Sequence, residues 1–157
     1  MTASATPEDT LVMETTKGRV VIAMRPDLAP NHVARIKELA RANFYDGIVF
    51  HRVIDGFMAQ TGDPTGTGTG GSGKNLGAEF SSEKHVRGTC SMARAMSPDS
   101  ADSQFFICFG EAPWLDGQYS VWGQVVEGMD TIDQIKRGEP VMDPDKIVTM
   151  RVSADQD

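Results

Sequence analysis

Short apolar runs, broken by glycine, proline and charged residues, recur along this chain. Thr10 to Met24 contains two of them around Lys17-Gly18, a pattern that predicts a β-hairpin. The next segment changes period. Pro30 suits the first position of a helix, and Val33, Ile36 and Ala40 recur at helical spacing until Gly47 ends the unit. Further strands are predicted at Ile48–Ile54, Met58–Thr61, Thr89–Ala93, Phe105–Phe109, Val121–Val126 and Ile147–Val152. A second, shorter helix is predicted over Met129–Lys136, with Gly138 and Pro140 as stop signals. Many strands and two helices imply a mainly β fold. A closed antiparallel barrel is the first expectation, because closure removes exposed edges. A sandwich with helices at its ends is the second.

Bulk properties refine this picture. At 157 residues the chain reads as a single domain, 1–157, with residues 1–8 as a flexible tail. A chain of this length buries about 70% of its unfolded surface. The formal net charge of −7 argues against nucleic acid as a partner, which demands a basic face, and against anionic membranes. The N-terminus lacks a cationic segment followed by an apolar run, so no signal peptide is read there. No apolar run approaches the ~18 residues of a membrane span. Two cysteines, Cys90 and Cys108, are too few for a disulfide scaffold, and a cytoplasmic location is the natural expectation.

The most conspicuous motif fails its chemical test. Gly68, Gly70 and Gly73 match G-x-G-x-x-G, and Gly68 to Asn75 nearly match a phosphate loop. Asn75 stands where a hydroxyl must reach magnesium, and no long helix follows to receive phosphate. The stretch is expected to be a mobile surface loop. His32 and His85 are expected to be solvated. His51 is expected to be a hydrogen-bonded interior histidine, on the strand face opposite Arg52. No cysteine or histidine spacing suits a metal, and no G-x-S-x-G elbow offers a nucleophile. Cys90 and Cys108 read as inert, buried small hydrophobes.

One segment remains, "FHRVIDGFMAQTGDP", Phe50 to Pro64, with a lone cation beside apolar residues. This segment, "SMARA", "DSQFFICFGEAPWLDGQYSVWGQVVEGMD" and a late "KI" occur in this order. Together they resemble the cyclophilin family of peptidyl-prolyl cis-trans isomerases, in its single-domain, bacterial-like form. The resemblance runs from about Thr10 to Val152.

It implies an eight-stranded antiparallel barrel capped by two helices, with a groove on its outer face. The family's catalytic arginine falls on Arg52, and the glutamine that orders it falls on Gln60. The proline pocket falls on Phe57, Met58, Phe106 and Leu115, which by themselves would read as ordinary core residues. Neighbouring substrate contacts fall on Ala93, Arg94, Gln104 and Trp114. Strand alternation independently gives Gln104 and Phe106 one shared face.

Three departures stand out. Tyr119 replaces a common histidine but still offers a ring and a hydroxyl. Arg94 replaces a common asparagine and adds a charge. Asp55 and Thr61 replace a frequent proline and glycine. The resemblance implies an isomerase or rotamase, and the failed phosphate loop with the missing metal-ligand spacings leads to the expectation that it needs no cofactor or metal. Its expected partners are proline-containing peptides and unfolded or partly folded proteins, with cyclosporin as a ligand. It is expected to be a monomer that assists protein folding. The alternative is a proline-peptide binding module or holdase chaperone with incidental turnover.

Overall fold

Lys17 and Gly18 turn the chain between β1 (Thr10–Thr15) and β2 (Gly18–Met24). The two strands pair antiparallel, from Thr10 opposite Ala23 to Thr15 opposite Gly18. Gly18 has φ +138°, a conformation that side-chain-bearing residues rarely adopt. A computed structural model of the protein describes residues 6–66, 70–94, 97, 99–138 and 141–155.

The remaining strands are β3 (Arg52–Ile54), β4 (Met58–Thr61), β5 (Thr89–Met92), β6 (Phe105–Cys108), β7 (Val121–Glu127) and β8 (Ile147–Val152). Together the eight strands form one antiparallel sheet in the order β3-β4-β6-β5-β7-β2-β1-β8. The expected closed barrel is corrected to an open one, a half-barrel. Its edge strands, β3 and β8, share no ladder. Discontinuous contacts span the seam instead, including bridges from Val49 to Lys146 and from Val53 to Gly138. The Phe50 N–H also donates to the Asp145 carbonyl at 2.8 Å. The segment facing β3 contains Gly138 and Pro144, and a proline has no N–H to give a ladder. β3 is accordingly three residues long, not the seven expected over Ile48–Ile54.

α1 (Pro30–Arg41) begins at the expected proline. Ala29 at its N-cap makes no side-chain cap. Glu79 does that work from a distant loop, accepting the Asn31 and His32 backbone N–H groups at 3.2 and 2.9 Å. Asn43, with φ 60°, lies just past the end of the helix. α2 covers only Met129–Ile132, half the length expected, and its Ile132 with the following Ile135 still reaches the core. The last part of the expected N-terminal tail is docked, since Glu8 pairs with Lys37 at 3.1 Å and Arg41 at 3.0 Å. Residues 1–5 and Pro140 lie outside the described residues. Among the described residues, no helix is long and apolar enough to cross a membrane.

Strand alternation divides the buried side chains between two clusters. Val53, Ala59, Phe105 and Ile107 point inward with Trp122, Tyr45 and the α1 residues Val33 and Ile36. Met58, Phe106 and Cys108 point to the other face, where they meet Ala112 and Leu115. This second cluster is the floor of the candidate site.

Candidate functional site

Residues that pair across antiparallel strands project from the same face. Arg52 lies opposite Gln60, and Gln60 lies opposite Phe106. The register of three strands therefore puts the cation, the amide and the aromatic ring in one row. Met58, two residues before Gln60, extends the row, and Leu115 reaches it from a 3-10 turn at Pro113–Leu115. Phe57, Trp114 and Tyr119 complete the walls. The result is a cavity of about 340 Å³ lined by these residues with Ala93 and Arg94. Gln104 lines a neighbouring cavity of about 520 Å³, which shares Gln60, Ala93 and Arg94 with the first. The structure thus gathers ten of the eleven residues named from the sequence around one cavity, and Gln104 stands at its border.

The polar groups form a relay. Arg52 Nη1 donates to Gln60 Oε1 at 3.3 Å. Gln60 Nε2 donates to Gln104 Oε1 at 2.9 Å, and Gln104 Nε2 donates to the Gly70 carbonyl at 3.0 Å. Gln104 is itself held from below, because Tyr45 donates its hydroxyl to the Ser103 carbonyl at 2.9 Å and Ser103 Oγ donates to the Gly62 carbonyl at 2.7 Å. Gly62 has φ +98°, and a Cβ there would stand 2.8 Å from Gln104 Cα. A glycine is what lets β4 leave the sheet this close to Gln104.

Aromatic packing sets the pocket walls. The Phe106 and Tyr119 rings meet edge to face at 5.7 Å, and Phe57 lies 5.6 Å from Trp114. Trp114 is 64% exposed, so its indole is a rim and not a floor. The Arg94 guanidinium lies 4.6 Å from the Tyr119 ring centroid and donates to the Gln118 carbonyl.

The sequence reading missed the support behind Phe106. His85 was expected to be solvated, yet it is buried and stacks on Phe106 at 6.2 Å. Asp116 accepts its backbone N–H at 2.7 Å, and Nδ1 and Nε2 lie 3.0 Å from Asp116 and Ser91 Oγ. His32 is likewise buried, with Nδ1 2.6 Å from Glu79. No local signal marks either partner, since Asp116 and Glu79 are 31 and 47 residues away. His51 is buried as expected, but neither ring nitrogen has a hydrogen-bond partner among the described residues.

From Gly70 onward the glycine-rich stretch is better anchored than expected. Asp102 accepts from Ser72 Oγ and, at 2.9 Å, from the Gly73 N–H, while Arg35 donates to Asp102 at 3.1 Å and to the Lys74 carbonyl at 2.7 Å. Gly68 of the near-match phosphate loop lies outside the described residues. Among the described residues, no group of three or more His, Cys, Asp or Glu could hold a metal ion. Burial pushes the Cys108 thiol up to about 12 and raises Cys90 as well, so both stay protonated and unreactive at neutral pH.

Burial also lowers the pKa of His51 and of His85, against the opposing pull of Asp63 and Asp116. Both are neutral in the folded protein where the unfolded chain, near ~6.5, already binds a proton. Their contribution is therefore present above that value and is lost as pH falls from it toward the lowered folded values. The urea midpoint should drop between pH 7.5 and 5. His51→Gln should flatten that slope and cost about 1 kcal/mol of stability, leaving turnover at saturating peptide near normal. Abolished turnover in a folded His51→Gln protein would mean that the ring takes part in the chemistry.

Comparison with known proteins follows the same lines. The family described as cyclophilin type peptidyl-prolyl cis-trans isomerase matches residues 10–152. A probable peptidyl-prolyl cis-trans isomerase of Brucella suis is 51% identical over 170 residues, covering 98% of this chain and 87% of its own. A peptidyl-prolyl cis-trans isomerase of Helicobacter pylori is 44% identical over 131 residues, covering 81% of this chain and 80% of its own. The crystal structure of a cyclophilin from Hirschia baltica superposes with a TM-score of 0.91 at 31% identity, covering 99% of this chain and 77% of that one. A Cryptosporidium parvum cyclophilin-type isomerase, crystallised in the presence of the dipeptide Ala-Pro, gives 0.85 at 28% identity, covering 91% and 98%.

Proposed function

This chain belongs to the cyclophilin-type peptidyl-prolyl cis-trans isomerases, and from that premise we propose that it turns X–Pro bonds by holding the proline ring over Phe106 and stabilising the twisted amide with Arg52. The observation that carries this reading is the row made by Arg52, Gln60 and Phe106 on one sheet face. The cavity they border is lined by apolar, amide and guanidinium groups, with no carboxylate, imidazole or thiol among its described lining residues.

Such a set suits isomerisation physically. Conjugation of the nitrogen lone pair with the carbonyl gives the amide a barrier of about 18–20 kcal/mol. Halfway round, conjugation is lost and the nitrogen becomes pyramidal and basic. A guanidinium held beside that nitrogen favours the twisted state over either planar one, which is the differential binding that catalysis requires. No proton has to move and no covalent bond has to form. Phe57, Met58, Phe106 and Leu115 grip the pyrrolidine ring while the preceding carbonyl swings. Gln60 and Gln104 fix the guanidinium and offer amides to the substrate backbone. Arginine suits the task because its charge is permanent and its donors form a rigid fork. The Ala-Pro present with the Cryptosporidium relative supports a proline peptide as the substrate class.

Exchange NMR on short X–Pro peptides tests the assignment, since binding without accelerated exchange would leave only a peptide-binding module. Activity should be unchanged by exhaustive chelation and by added ATP with magnesium. A saturable nucleotide affinity in the micromolar range, about −8 kcal/mol, would overturn the dismissal of the glycine-rich loop. Cyclosporin should compete with peptide in the groove, and Trp114→Ala should weaken inhibition more than turnover, because Trp114 offers an exposed indole at the rim. Equal loss of both would count against that role. Monomeric state, a cytoplasmic location and assistance to folding proteins complete the proposal.

A further inference from the structure

We propose that the groove prefers proline segments carrying a carboxylate within about three residues of the proline, and that Arg94 reads it. The inference rests on the site being the isomerase groove described above. It begins from a charge count. The protein carries a net charge of −7, yet among the described residues the charged side chains lining the first cavity are Arg52 and Arg94, both cationic. The neighbouring cavity adds one carboxylate, Asp102, which already faces the buried guanidinium of Arg35 and the Gly73 N–H. Its charge is met from within the protein. The shared border of the two cavities, Gln60, Ala93 and Arg94, therefore carries one cation and no carboxylate among its described residues, on an acidic molecule.

Arg94 occupies that border. Its guanidinium is held against the Tyr119 ring at 4.6 Å and to the Gln118 carbonyl at 2.8 Å. Tyr119 in turn stands 5.7 Å from Phe106, the floor of the proline pocket. End to end, those two steps span at most about three residues of extended chain at ~3.4 Å each. A ring that fixes the guanidinium reduces the side-chain ordering that binding would otherwise cost. Nε and Nη2 both donate to Gln118, and the charge so positioned attracts a carboxylate more strongly than a neutral amide. The protein's overall negative field opposes an acidic peptide, but charges farther than about 8 Å are largely screened at physiological salt. A contact at Arg94 therefore outweighs the distant charges. Because the second cavity lies on one side of the proline pocket, the preference is confined to one side of the proline.

The test is a matched peptide series in which Glu, Gln or Lys is placed at each position from three before to three after the proline, with kcat/KM measured by exchange NMR and coupled assay. Glu should exceed Gln by about three- to fivefold at one or two positions on one side, the size expected of an exposed ion pair, and Lys should fall below Gln. The ratio should approach one in molar salt in the unmodified protein. Arg94→Asn should remove the preference, Arg94→Lys should keep part of it, and Arg94→Glu should reverse it. A Glu/Gln ratio near one at every position, with the neutral peptide still turned over, overturns the preference and leaves the isomerase site standing. A preference that survives Arg94→Asn overturns the role of Arg94. Failure to accelerate any peptide would sink the site assignment and this inference with it.

Discussion

Arg52→Ala is expected to lower turnover at saturating peptide by about 10²–10³-fold, while peptide affinity changes by less than about tenfold. The asymmetry follows from the two-part site. The apolar floor of Met58, Phe106 and Leu115 is buried independently of the guanidinium and continues to hold the proline ring. What is lost is a charged donor that acts mainly when the amide is twisted, worth about 3–4 kcal/mol in a partly desolvated site. Arg52→Lys should rescue only part of the rate, because it keeps the charge but not the planar fork that meets Gln60. Line-shape or exchange NMR on an Ala-Pro peptide gives the rate, and titration calorimetry gives the affinity. Near-normal turnover in Arg52→Ala would discard the electrostatic mechanism. A parallel collapse of affinity would instead make Arg52 a binding residue for the ground state.

The second large effect is on stability. Arg35 is 9% exposed and Asp102 15%, and they join α1 to the segment carrying Ser72, Gly73 and Lys74. Asp102→Ala would leave the buried guanidinium with the exposed Glu38, at 3.5 Å, as its remaining carboxylate among the described residues, and two backbone N–H groups without their acceptor. Removing one partner of such a pair costs about 3 kcal/mol or more, because the remaining charge stays desolvated. For a chain of this size that is about 6–12 °C in Tm. Replacing both, as Arg35→Met with Asp102→Leu, should recover much of the loss, since no charge is then stranded. Turnover should also fall in Asp102→Ala, because the Gly70 carbonyl that accepts from Gln104 belongs to the same anchored segment. A loss below about 1 kcal/mol would class the pair with ordinary surface contacts.

The elements that the sequence announced are those with strong local patterns. The hairpin at Lys17-Gly18, the start of α1 at Pro30 and the strands Met58–Thr61 and Ile147–Val152 all lie where apolar runs and breakers place them. Arg52, Gln60 and Phe106 were legible through the family motifs; alternation within a strand gave Gln104 and Phe106 one face, but which residues stand opposite one another depends on strand pairing that no single segment encodes. What stayed hidden depends on partners far along the chain. His32 and His85 sit among polar neighbours and look solvated until Glu79 and Asp116 fold over them. The docking of the glycine-rich segment depends on Arg35 and Asp102, neither of which forms a recognisable motif with it. The open seam escaped notice because a strand prediction counts residues fit for a ladder, whereas β3 faces a partner segment interrupted by Gly138 and Pro144.

The strand order bears on how the protein is made. β1 is made before every other strand, and its hairpin partner β2 follows it directly. Its other ladder is with β8, where Leu11 meets Val152 almost at the end of the chain. β2 likewise waits for β7, more than a hundred residues later. The sheet therefore cannot be completed until β8 has been made. Pairings this distant in sequence also form slowly, because loop closure precedes any gain in contacts. Until β8 arrives, the nascent hairpin keeps one edge and one apolar face available to other chains. The vulnerable period in this protein's folding thus runs from the formation of the hairpin to the docking of β8.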